Sequence, residues 1–176
     1  MTARQVVKSI DDGADELFRR LRGNPTADWV FYAASEAADY SLAWHVISIG
    51  MATASPNRKA DAVRMATMLG VESIVVNGIV KRIVDRERPA PLENPAHDVR
   101  RPKTKSFPSG HASSATLAAV LLTDAYPSLR PVWVGLAATV AASRIHNRMH
   151  HASDVAAGAA LGGVFGLVTK RLWPLR

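Results

Sequence analysis

The chain has 176 residues, enough for one domain of ordinary size, and 48% of them are hydrophobic while 21% are charged. This balance excludes a disordered tail, and the lack of cysteine excludes disulfides, thiolate metal sites and a cysteine nucleophile. A formal net charge of +7 predicts an anionic partner, which leaves nucleic acid, anionic lipid and a phosphorylated substrate as the classes to weigh.

Residues 1–27 predict an amphipathic N-terminal helix. Their charges have both signs and no continuous apolar stretch separates them, which is unlike a secretory signal. Apolar side chains recur every three or four residues from Val6 to Leu21, and the pattern ends at Gly23, Asn24 and Pro25. Two interpretations stay open, because such a helix either packs on its own domain or lies at a membrane surface.

Five apolar runs follow, and they predict an all-α fold. The later runs are shorter than the ~20 residues that a perpendicular transmembrane helix needs, so a buried helical bundle is one alternative. Because so many apolar runs leave little polar surface, we expect a polytopic membrane protein with about five transmembrane helices. Residues 28–176 would form the transmembrane core, in a single domain with the N-terminal helix. The runs cover residues 29–54, 63–84, 112–125, 131–143 and 155–169.

The last run carries Gly158, Gly162 and Gly166 at four-residue spacing. In water such glycines weaken a helix, whereas in a bilayer a face of small residues lets a neighbouring helix approach closely. We therefore expect the last helix to contact another helix at short range.

Two ionisable residues interrupt the first two runs. If these runs form an antiparallel hairpin that turns between Ala54 and Val63, His45 and Glu72 lie equally far from the turn. An isolated charge inside a membrane is costly, so one expectation is that these two side chains pair. The other is that each faces a different helix or water.

The longest irregular stretch is the basic loop, residues 85–108, which contains five prolines. By itself such a loop is typical of a solvated connection, or of cytoplasmic charge that sets membrane topology. Three short clusters in and around it indicate chemistry as well. They are Lys81 with Arg88 and Pro89, then Pro108, Ser109, Gly110 and His111, then Ser143 and Arg144 with His150 and Asp154.

Together these clusters describe an anion site. Ser109 and Gly110 open a helix, where unpaired backbone N–H groups can hold phosphate oxygens. Lys81, Arg88 and Arg144 supply positive charge that matches a phosphoryl group, with the arginines in fork geometry.

Three further residues indicate catalytic chemistry at the same site. His150 and Asp154 are four residues apart, so on a helix the carboxylate can accept the Nδ1–H of the ring and leave Nε2 as a nucleophile. His111 is a second imidazole, which can protonate a leaving alkoxide.

Two other classes of site could use these residues. His146 and His150 have the His-x3-His spacing of helical metal ligands, although the surrounding arginines already supply the charge that a cation would bring. A nucleic-acid-binding module would explain the net charge, yet it leaves the spacing of His150 and Asp154 without a reason. We expect neither a metal nor a nucleic acid partner.

The three clusters resemble the signature of the type-2 phosphatidic acid phosphatase superfamily, which also includes bacterial class A acid phosphatases and vanadium haloperoxidases. The signature reads K-x6-RP, PSGH and SR-x5-H-x3-D, and residues 81–154 match all three parts in order and at full spacing. The resemblance implies a phosphomonoesterase or diphosphatase that needs no metal or other cofactor and forms a phosphohistidine intermediate on a helical bundle.

The resemblance also implies a role for each matching residue. It makes His150 the nucleophile, Asp154 its orienting partner and His111 the general acid. The phosphate-binding residues that it implies are Lys81, Arg88, Ser109, Gly110 and Arg144.

The expected substrate is a phosphorylated lipid. Small bacterial membrane members of this superfamily frequently act on polyprenyl-linked substrates, and the Ala- and Arg-rich composition is similar to that of actinobacterial proteins. Our first choice is the 5-phosphate of decaprenylphosphoryl-phosphoribose. Phosphatidylglycerophosphate, phosphatidic acid and undecaprenyl diphosphate are alternatives, and so is a soluble acid phosphatase or a vanadium-haloperoxidase-like enzyme.

The distribution of basic residues predicts which side of the membrane the site faces. With five helices the three motifs and the N-terminus share one side, which then carries 15 of the 22 Lys and Arg residues against seven on the other. Because Lys and Arg favour the cytoplasmic side, we expect a protein of the bacterial plasma membrane with its site in the cytoplasm and its C-terminus outside.

Overall fold

The computed structural model describes residues 1–102 and 104–175, so Lys103 and Arg176 lie outside the described residues. Within that part every regular element is helical and no strand occurs, which confirms the all-α prediction. A π-helix, Ile74–Val80, joins α4 to α5. In chain order the helices are α1 (Ala3–Arg19), α2 (Pro25–Ala37), α3 (Leu42–Ala54), α4 (Lys59–Ser73), α5 (Lys81–Ile83), α6 (Gly110–Ala125), α7 (Arg130–His146) and α8 (Ala152–Leu172).

Helix α1 is the predicted amphipathic helix, and its sides have different surroundings. Thr2 and Gln5 form a capping box that satisfies backbone N–H groups at its start. Asp11 is buried, and Phe18 packs edge-on against Phe31 of α2. The helix therefore packs on its own domain while it also presents an apolar side to the surroundings. The exposed apolar side chains are Val6, Val7, Ile10, Leu17 and Leu21.

The first apolar run is not one helix. A short 3-10 segment, Asp39–Ser41, separates α2 from α3, and Tyr40 and Ser41 adopt left-handed backbone conformations with φ of 51° and 59°. Such values are unfavourable for residues with a side chain, so the surrounding structure must hold the break in place. The prediction of a single helix over residues 29–54 is therefore wrong. The break brings Asp39 to the start of α6.

Within residues 1–102 and 104–175, two stretches are long and apolar enough to cross a membrane. They are Pro56–Ile83, with 28 residues, and Ala152–Leu172, with 21 residues. The outer surface of the bundle carries exposed aliphatic side chains, among them Ile49 of α3, Ile74 of the π-helix and Leu167 of α8. An apolar exterior of this kind is suited to contact with lipid. The number of five membrane-spanning helices stays a prediction.

Helix α6 is the centre of the bundle and packs against α4, α7 and α8. Two glycines let α8 approach it at short range. A Cβ atom on Gly158 would lie 2.2 Å from the carbonyl oxygen of Ser109, and one on Gly162 would lie 2.0 Å from that of Ser113. No side chain fits at either position, which confirms the close approach predicted for this face. The contact fixes the start of α6 against the start of α8.

The predicted pairing of His45 with Glu72 is wrong. Helix α3 buries Trp44, Ser48 and Met51 on one face, and His45 lies a quarter turn away from that face and is partly exposed. Glu72 is buried on α4. Among the described residues no ion pair of 4.0 Å or less joins the two side chains. An equal distance from the turn does not determine the faces on which two side chains lie.

Candidate active site

The three motif clusters meet at one end of the bundle. This end is formed by the C-terminal ends of α5 and α7, the N-terminal ends of α6 and α8, and the basic loop. The backbone N–H of Ser106 donates to the carbonyl of Arg86 over 2.8 Å, and that of Ser109 donates to the carbonyl of Asp154 over 3.0 Å. The structure brings all eight predicted site residues to this end.

His150 lies in the loop between α7 and α8 and not on a helix. Helix α7 ends at His146, whose Nε2 lies 2.8 Å from Oδ1 of Asp28 on α2. Helix α8 begins only after His150. The expectation that His150 and Asp154 lie one turn apart on the same helix is therefore wrong. The helical spacing that suggested His146 and His150 as a pair of metal ligands is absent for the same reason.

Arg88 and Ser106 contact the two ring nitrogens of His150. Nη1 of Arg88 lies 3.2 Å from Nε2, and Oγ of Ser106 lies 3.4 Å from Nδ1. A guanidinium only donates hydrogen bonds, so the nitrogen that faces it carries the lone pair and Nδ1 carries the proton. This tautomer gives Nε2 the electron pair that a nucleophile needs.

Asp154 is fully buried and accepts three hydrogen bonds. The Ser106 hydroxyl donates to Oδ2 over 2.6 Å, the backbone N–H of His151 donates to the same oxygen over 2.9 Å, and Arg86 donates to Oδ1 over 2.6 Å. Nδ1 of His150 is 3.9 Å from Oδ2, which is too far for a hydrogen bond. The direct bond expected from the sequence is therefore absent, and the Ser106 hydroxyl lies between the ring and the carboxylate.

The pKa of His150 is lowered from its ordinary value to about 3. Burial is the largest cause, and the nearby positive charges of Arg88, Arg144 and Lys81 act in the same direction, while Asp154 opposes them. The ring is therefore neutral at physiological pH. A neutral imidazole is the form that attacks phosphorus.

Arg88 is held beside His150 by backbone carbonyls. Its Nη1 donates to the carbonyl of Met149 over 2.7 Å, and its Nε donates to that of Thr104 over 3.0 Å. Burial is the main cause that lowers the pKa of Arg88 to about 10, so the guanidinium stays charged at neutral pH. These contacts fix a positive charge next to the atom proposed to attack.

Arg144 is 2% exposed and points into the same cluster of charges. Its Nη1 donates to the hydroxyl of Ser35 on α2. Its Nε is buried and has no hydrogen-bond partner in the part of the chain that the structure describes. A buried donor without a partner is costly, and a phosphate oxygen would satisfy it.

Ser109 and Gly110 begin α6, as the sequence predicts. Ser109 is the N-cap, and its hydroxyl accepts a long hydrogen bond of 3.4 Å from the backbone N–H of Ala112. Helix α6 has 16 residues, so its first turn combines unpaired N–H groups with the positive end of a full helix dipole. This turn can bind an anion at the site.

His111, in the first turn of α6, has a carboxylate partner. Its Nε2 lies 3.2 Å from Oδ1 of Asp39. The neighbouring His111 ring is the main cause that lowers the pKa of Asp39 below its ordinary value, so the carboxylate is ionised. Burial is the largest cause that lowers the pKa of His111 to about 4, and the nearby charges of Arg144 and Lys81 act in the same direction while Asp39 opposes them. Without substrate the ring is therefore neutral at physiological pH. The second imidazole therefore faces two of the cations that surround His150.

Three residues of this arrangement were not predicted from the sequence: Ser106, Arg86 and Asp39. Arg86 is one of several basic residues in the basic loop, and Ser106 precedes the PSGH cluster without a spacing that marks it. One feature of the sequence could have indicated Asp39 as a functional residue, because it is a charged residue inside an apolar run. Its partner, His111, lies far away along the chain, so no local pattern indicates the pairing.

Comparison with known proteins places the chain among phosphatases. It matches the family model described as the PAP2 superfamily over residues 61–176. It is similar to the decaprenylphosphoryl-5-phosphoribose phosphatase of Mycobacterium tuberculosis (strain CDC 1551 / Oshkosh), with 34% identity over 139 residues that cover 76% of this chain and 73% of that protein. The protein of the same name from Mycolicibacterium smegmatis is 34% identical over 140 residues, covering 78% and 74%.

A solved structure has the same fold. It is described as the first transmembrane PAP2 type phosphatidylglycerolphosphate phosphatase from Bacillus subtilis, and it superposes with a TM-score of 0.72 at 24% sequence identity. The match covers 97% of this chain and 90% of that one. The helical arrangement described above is therefore that of a membrane phosphatase.

Proposed function

Since the chain belongs to the PAP2 superfamily, we propose that it is a lipid phosphatase that hydrolyses the phosphomonoester of a polyprenyl-linked phosphate through a phosphohistidine intermediate. The enzyme class, a phosphoric monoester hydrolase, follows from the family and from relatives named as phosphatases. The best candidate substrate is decaprenylphosphoryl-5-phosphoribose, because two curated relatives carry its name.

In the first step Nε2 of His150 attacks the phosphorus atom of the substrate. The P–N bond forms while the P–O bond to the leaving group breaks. His111 is neutral before substrate binds, so it takes a proton from the monoanionic phosphate of the substrate and passes it to the leaving oxygen. Lys81, Arg88 and Arg144 stabilise the negative charge on the other phosphoryl oxygens. The lipid alcohol departs, and the phosphoryl group remains on His150.

In the second step water attacks the phosphorus of the phosphohistidine. His111, which is now neutral, takes a proton from that water as the P–N bond breaks. The electron pair of that bond returns to Nε2, and inorganic phosphate takes the proton from His111 and leaves as the monoanion, so both rings are neutral again. The Ser106 hydroxyl faces the Nδ1–H throughout, and the negative charge of Asp154 behind it stabilises the ring while it is phosphorylated.

The observation that carries this mechanism is the pair of contacts on the His150 ring. Nε2 faces the guanidinium of Arg88 at 3.2 Å, while Nδ1 faces Ser106 and, behind it, Asp154. One side of the ring therefore points to positive charge, where a phosphate binds, and the other to negative charge. A histidine with a merely structural role has no need for this polarity.

A panel of lipid phosphates tests the substrate. Phosphate release by the purified protein in detergent would be compared for decaprenylphosphoryl-5-phosphoribose, phosphatidylglycerophosphate, phosphatidic acid and undecaprenyl diphosphate, with His150→Ala as the blank. We expect the highest kcat/KM for the decaprenyl substrate. A higher kcat/KM for one of the other three lipids would identify that lipid as the substrate. No phosphate release from any of the four lipids would contradict the proposed function.

Metal independence is tested in the same assay. The three cations around His150 already supply the charge that a metal would supply to a phosphoryl group. We expect activity to survive excess EDTA, and we expect vanadate to inhibit by occupying the phosphoryl site. Loss of activity in EDTA with recovery on addition of Zn²⁺ or Mg²⁺ would contradict this part of the proposal.

We further propose that the site faces the cytoplasm from the bacterial plasma membrane. Helix α1 lies at the site end, where Oδ2 of its Asp11 is 2.6 Å from Nη2 of Arg86. Lys170, near the end of α8, pairs with Asp124 at the end of α6, at the opposite end of the bundle. The site end therefore holds most of the Lys and Arg residues. A cytoplasmic site suits a lipid intermediate made on the inner leaflet.

Fusions at the C-terminus test this orientation. We expect an alkaline phosphatase fusion to be active and a green fluorescent protein fusion to be dark. The reverse pattern would place the site outside and would disfavour the decaprenyl substrate. The same cells test the soluble alternative, since an acid phosphatase or haloperoxidase-like enzyme would leave the membrane fraction without detergent.

A further inference from the structure

Asp11 of α1 is buried and contacts the first turn of α8. Its side chain is 6% exposed. Oδ1 accepts a hydrogen bond from the backbone N–H of Ser153 over 2.8 Å, and Oδ2 accepts one from the Ser153 hydroxyl over 2.9 Å. Ser153 directly precedes Asp154 in the first turn of α8, and Asp11 is the partner of its backbone N–H. Asp11 therefore caps, from a different helix, the turn that carries Asp154.

Arg86 joins Asp11 to Asp154. Its Nη2 donates to Oδ2 of Asp11 over 2.6 Å, and its Nη1 donates to Oδ1 of Asp154 over 2.6 Å. Nη1 also lies 2.7 Å from the Ser153 hydroxyl. The two branches of one guanidinium thus connect a carboxylate of the N-terminal helix with the carboxylate behind His150. The planar fork of arginine suits this arrangement and a lysine does not.

We propose that Asp11 and Arg86 are positioning residues for the nucleophile, which makes α1 a part of the catalytic apparatus. The inference rests on the proposed function, because it takes His150 as the nucleophile. Arg86 occupies Oδ1 of Asp154, so the other oxygen, Oδ2, is turned toward Ser106 and the His150 ring. Asp11 holds Arg86 in the position where it binds only one oxygen of Asp154.

The effect of Asp11 follows from two carboxylates sharing one cation. Arg86 has two ionic partners among the described residues, and without the charge of Asp11 it keeps Asp154 and turns to bind both oxygens of that carboxylate. Oδ2 is then withdrawn from Ser106, and the phosphorylated His150 ring loses negative charge that stabilises it. Since neither Asp11 nor Arg86 is placed around the phosphate, kcat falls and KM stays within about twofold. The expected loss in kcat is about 10- to 100-fold, as for other residues that act through a catalytic group.

Asp12 provides a matched control on the same helix. It is the next residue, its side chain is 64% exposed, and it forms a surface ion pair of 2.6 Å with Lys8. Asp12→Asn removes the same charge from α1 as Asp11→Asn does. Because surface pairs contribute little, we expect kcat of this variant to stay within about twofold of the wild type.

The test is a double-mutant cycle of Asp11→Asn and Arg86→Lys. Lysine keeps the charge but cannot hold both carboxylates at once, so each single variant breaks the same connection. Each protein would be purified in detergent and assayed for kcat and KM with dioctanoyl phosphatidic acid, a short-chain lipid phosphate. We expect each single variant to lose at least about tenfold in kcat and the double variant to be within about twofold of the worse single one.

Two outcomes would overturn the inference. One is an Asp11→Asn protein with the kcat of the wild type, and the other is a double variant in which the two losses multiply, as for independent structural defects. Gel filtration and the thermal midpoint of each variant accompany the assay. A loss of activity that only follows the fraction of monodisperse folded protein would also count against a positioning role.

Failure of the proposed function has a different signature. If the wild type hydrolyses no lipid phosphate, or if His150→Ala keeps its activity, the phosphohistidine mechanism is wrong and this inference is wrong with it. If the wild type is active, His150→Ala is inactive and Asp11→Asn is unaffected, only the positioning role of α1 is wrong.

Discussion

The two histidines of the site have the same kind of partner and very different surroundings. The side chains of His150 and Asp154 are 2% and 0% exposed, and hydrogen bonds from Ser106 and Arg86 hold the carboxylate. The side chains of His111 and its partner, Asp39, are 15% and 22% exposed.

The segment around Asp39 is also less supported. Oδ2 of Asp39 lies 3.3 Å from Nε of Arg100, whose side chain is 55% exposed. The two residues that follow, Tyr40 and Ser41, have left-handed backbone conformations at the break between α2 and α3. By contrast, Asp154 lies in the first turn of the 21-residue helix α8.

This difference fits the two chemical tasks. A nucleophile attacks the same atom in every turnover, so a fixed and neutral ring next to fixed cations lowers the barrier without rearrangement. A general acid must reach the leaving oxygen of a bulky lipid, and the open side of the site is where that lipid can enter. We therefore expect substitutions at the His150 side to have the larger effects on turnover.

The largest effect is expected for His150→Ala. No other described group is placed to form the covalent intermediate, so kcat should fall by roughly 10⁵-fold or more. Phosphate release by purified protein measures this, and gel filtration with circular dichroism confirms that the fold is retained. A folded variant with more than about a hundredth of the wild-type rate would show that the nucleophile lies elsewhere.

Asp154→Asn should have the second largest effect, a loss of about 10³-fold in kcat. The amide keeps the size of the side chain, but it removes the negative charge that orients the Nδ1–H and stabilises the phosphorylated ring. Kinetics in detergent measure kcat and KM. A loss seen mainly in KM would contradict an orienting role, since Asp154 does not bind the phosphate.

Asp39→Asn should cost less, about tenfold in kcat, because the carboxylate assists an acid that retains its own contact with the substrate. The comparison of the two Asp→Asn variants is a direct test of the contrast between the two sides. Glu93→Gln, an exposed position in the basic loop, is the matched control and should leave kcat unchanged. Equal losses at Asp39 and Asp154 would remove the distinction drawn above.

The smallest expected effect concerns the protonation of His150 between pH 7 and pH 5. Because burial lowers the pKa of His150 to about 3, its ring should stay neutral with the proton on Nδ1 over this range. Nitrogen-15 spectra of histidine-labelled protein in micelles would show this, with His150→Ala to assign the signal. A ring that gains its second proton near pH 6.5 would contradict the assignment.

The same lowered pKa sets the sign of a stability effect. The unfolded chain binds a proton at His150 below about pH 6.5, while the folded chain does not until the pH is near 3. The unfolded state therefore gains protons first, and the contribution of His150 to the free energy of unfolding decreases as the pH falls through this window. In His150→Ala this part of the pH dependence should be missing.

The sequence predicted the parts of this site that depend on short spacings. The helix start at Ser109 and Gly110, the three cations and the two histidines all come from motifs whose members lie close together along the chain. The glycine face of α8 was also predictable, because a helical repeat of small residues has a direct consequence for packing. The all-α fold followed from the apolar runs.

The parts that could not be predicted depend on contacts between distant segments. Ser106 and Arg86 become partners of Asp154 only when the basic loop folds over the start of α8. Asp39 meets His111 because the chain breaks at Tyr40, a conformation that tertiary packing imposes against local preference. The loop that carries His150 has the sequence spacing of a helix, and only the end of α7 at His146 shows that it is not one.

Trapping the phosphoenzyme tests the central claim most directly. Purified protein would be mixed with phosphorus-32-labelled dioctanoyl phosphatidic acid, quenched in alkali within the first turnover, and mapped by mass spectrometry. Cleavage after Arg148 leaves His150 and His151 in one peptide, so fragmentation within that peptide must locate the label. We predict a label on His150 that is stable in base, labile in acid and missing in His150→Ala. A label on any other residue, or turnover with no label at His150, would contradict the account.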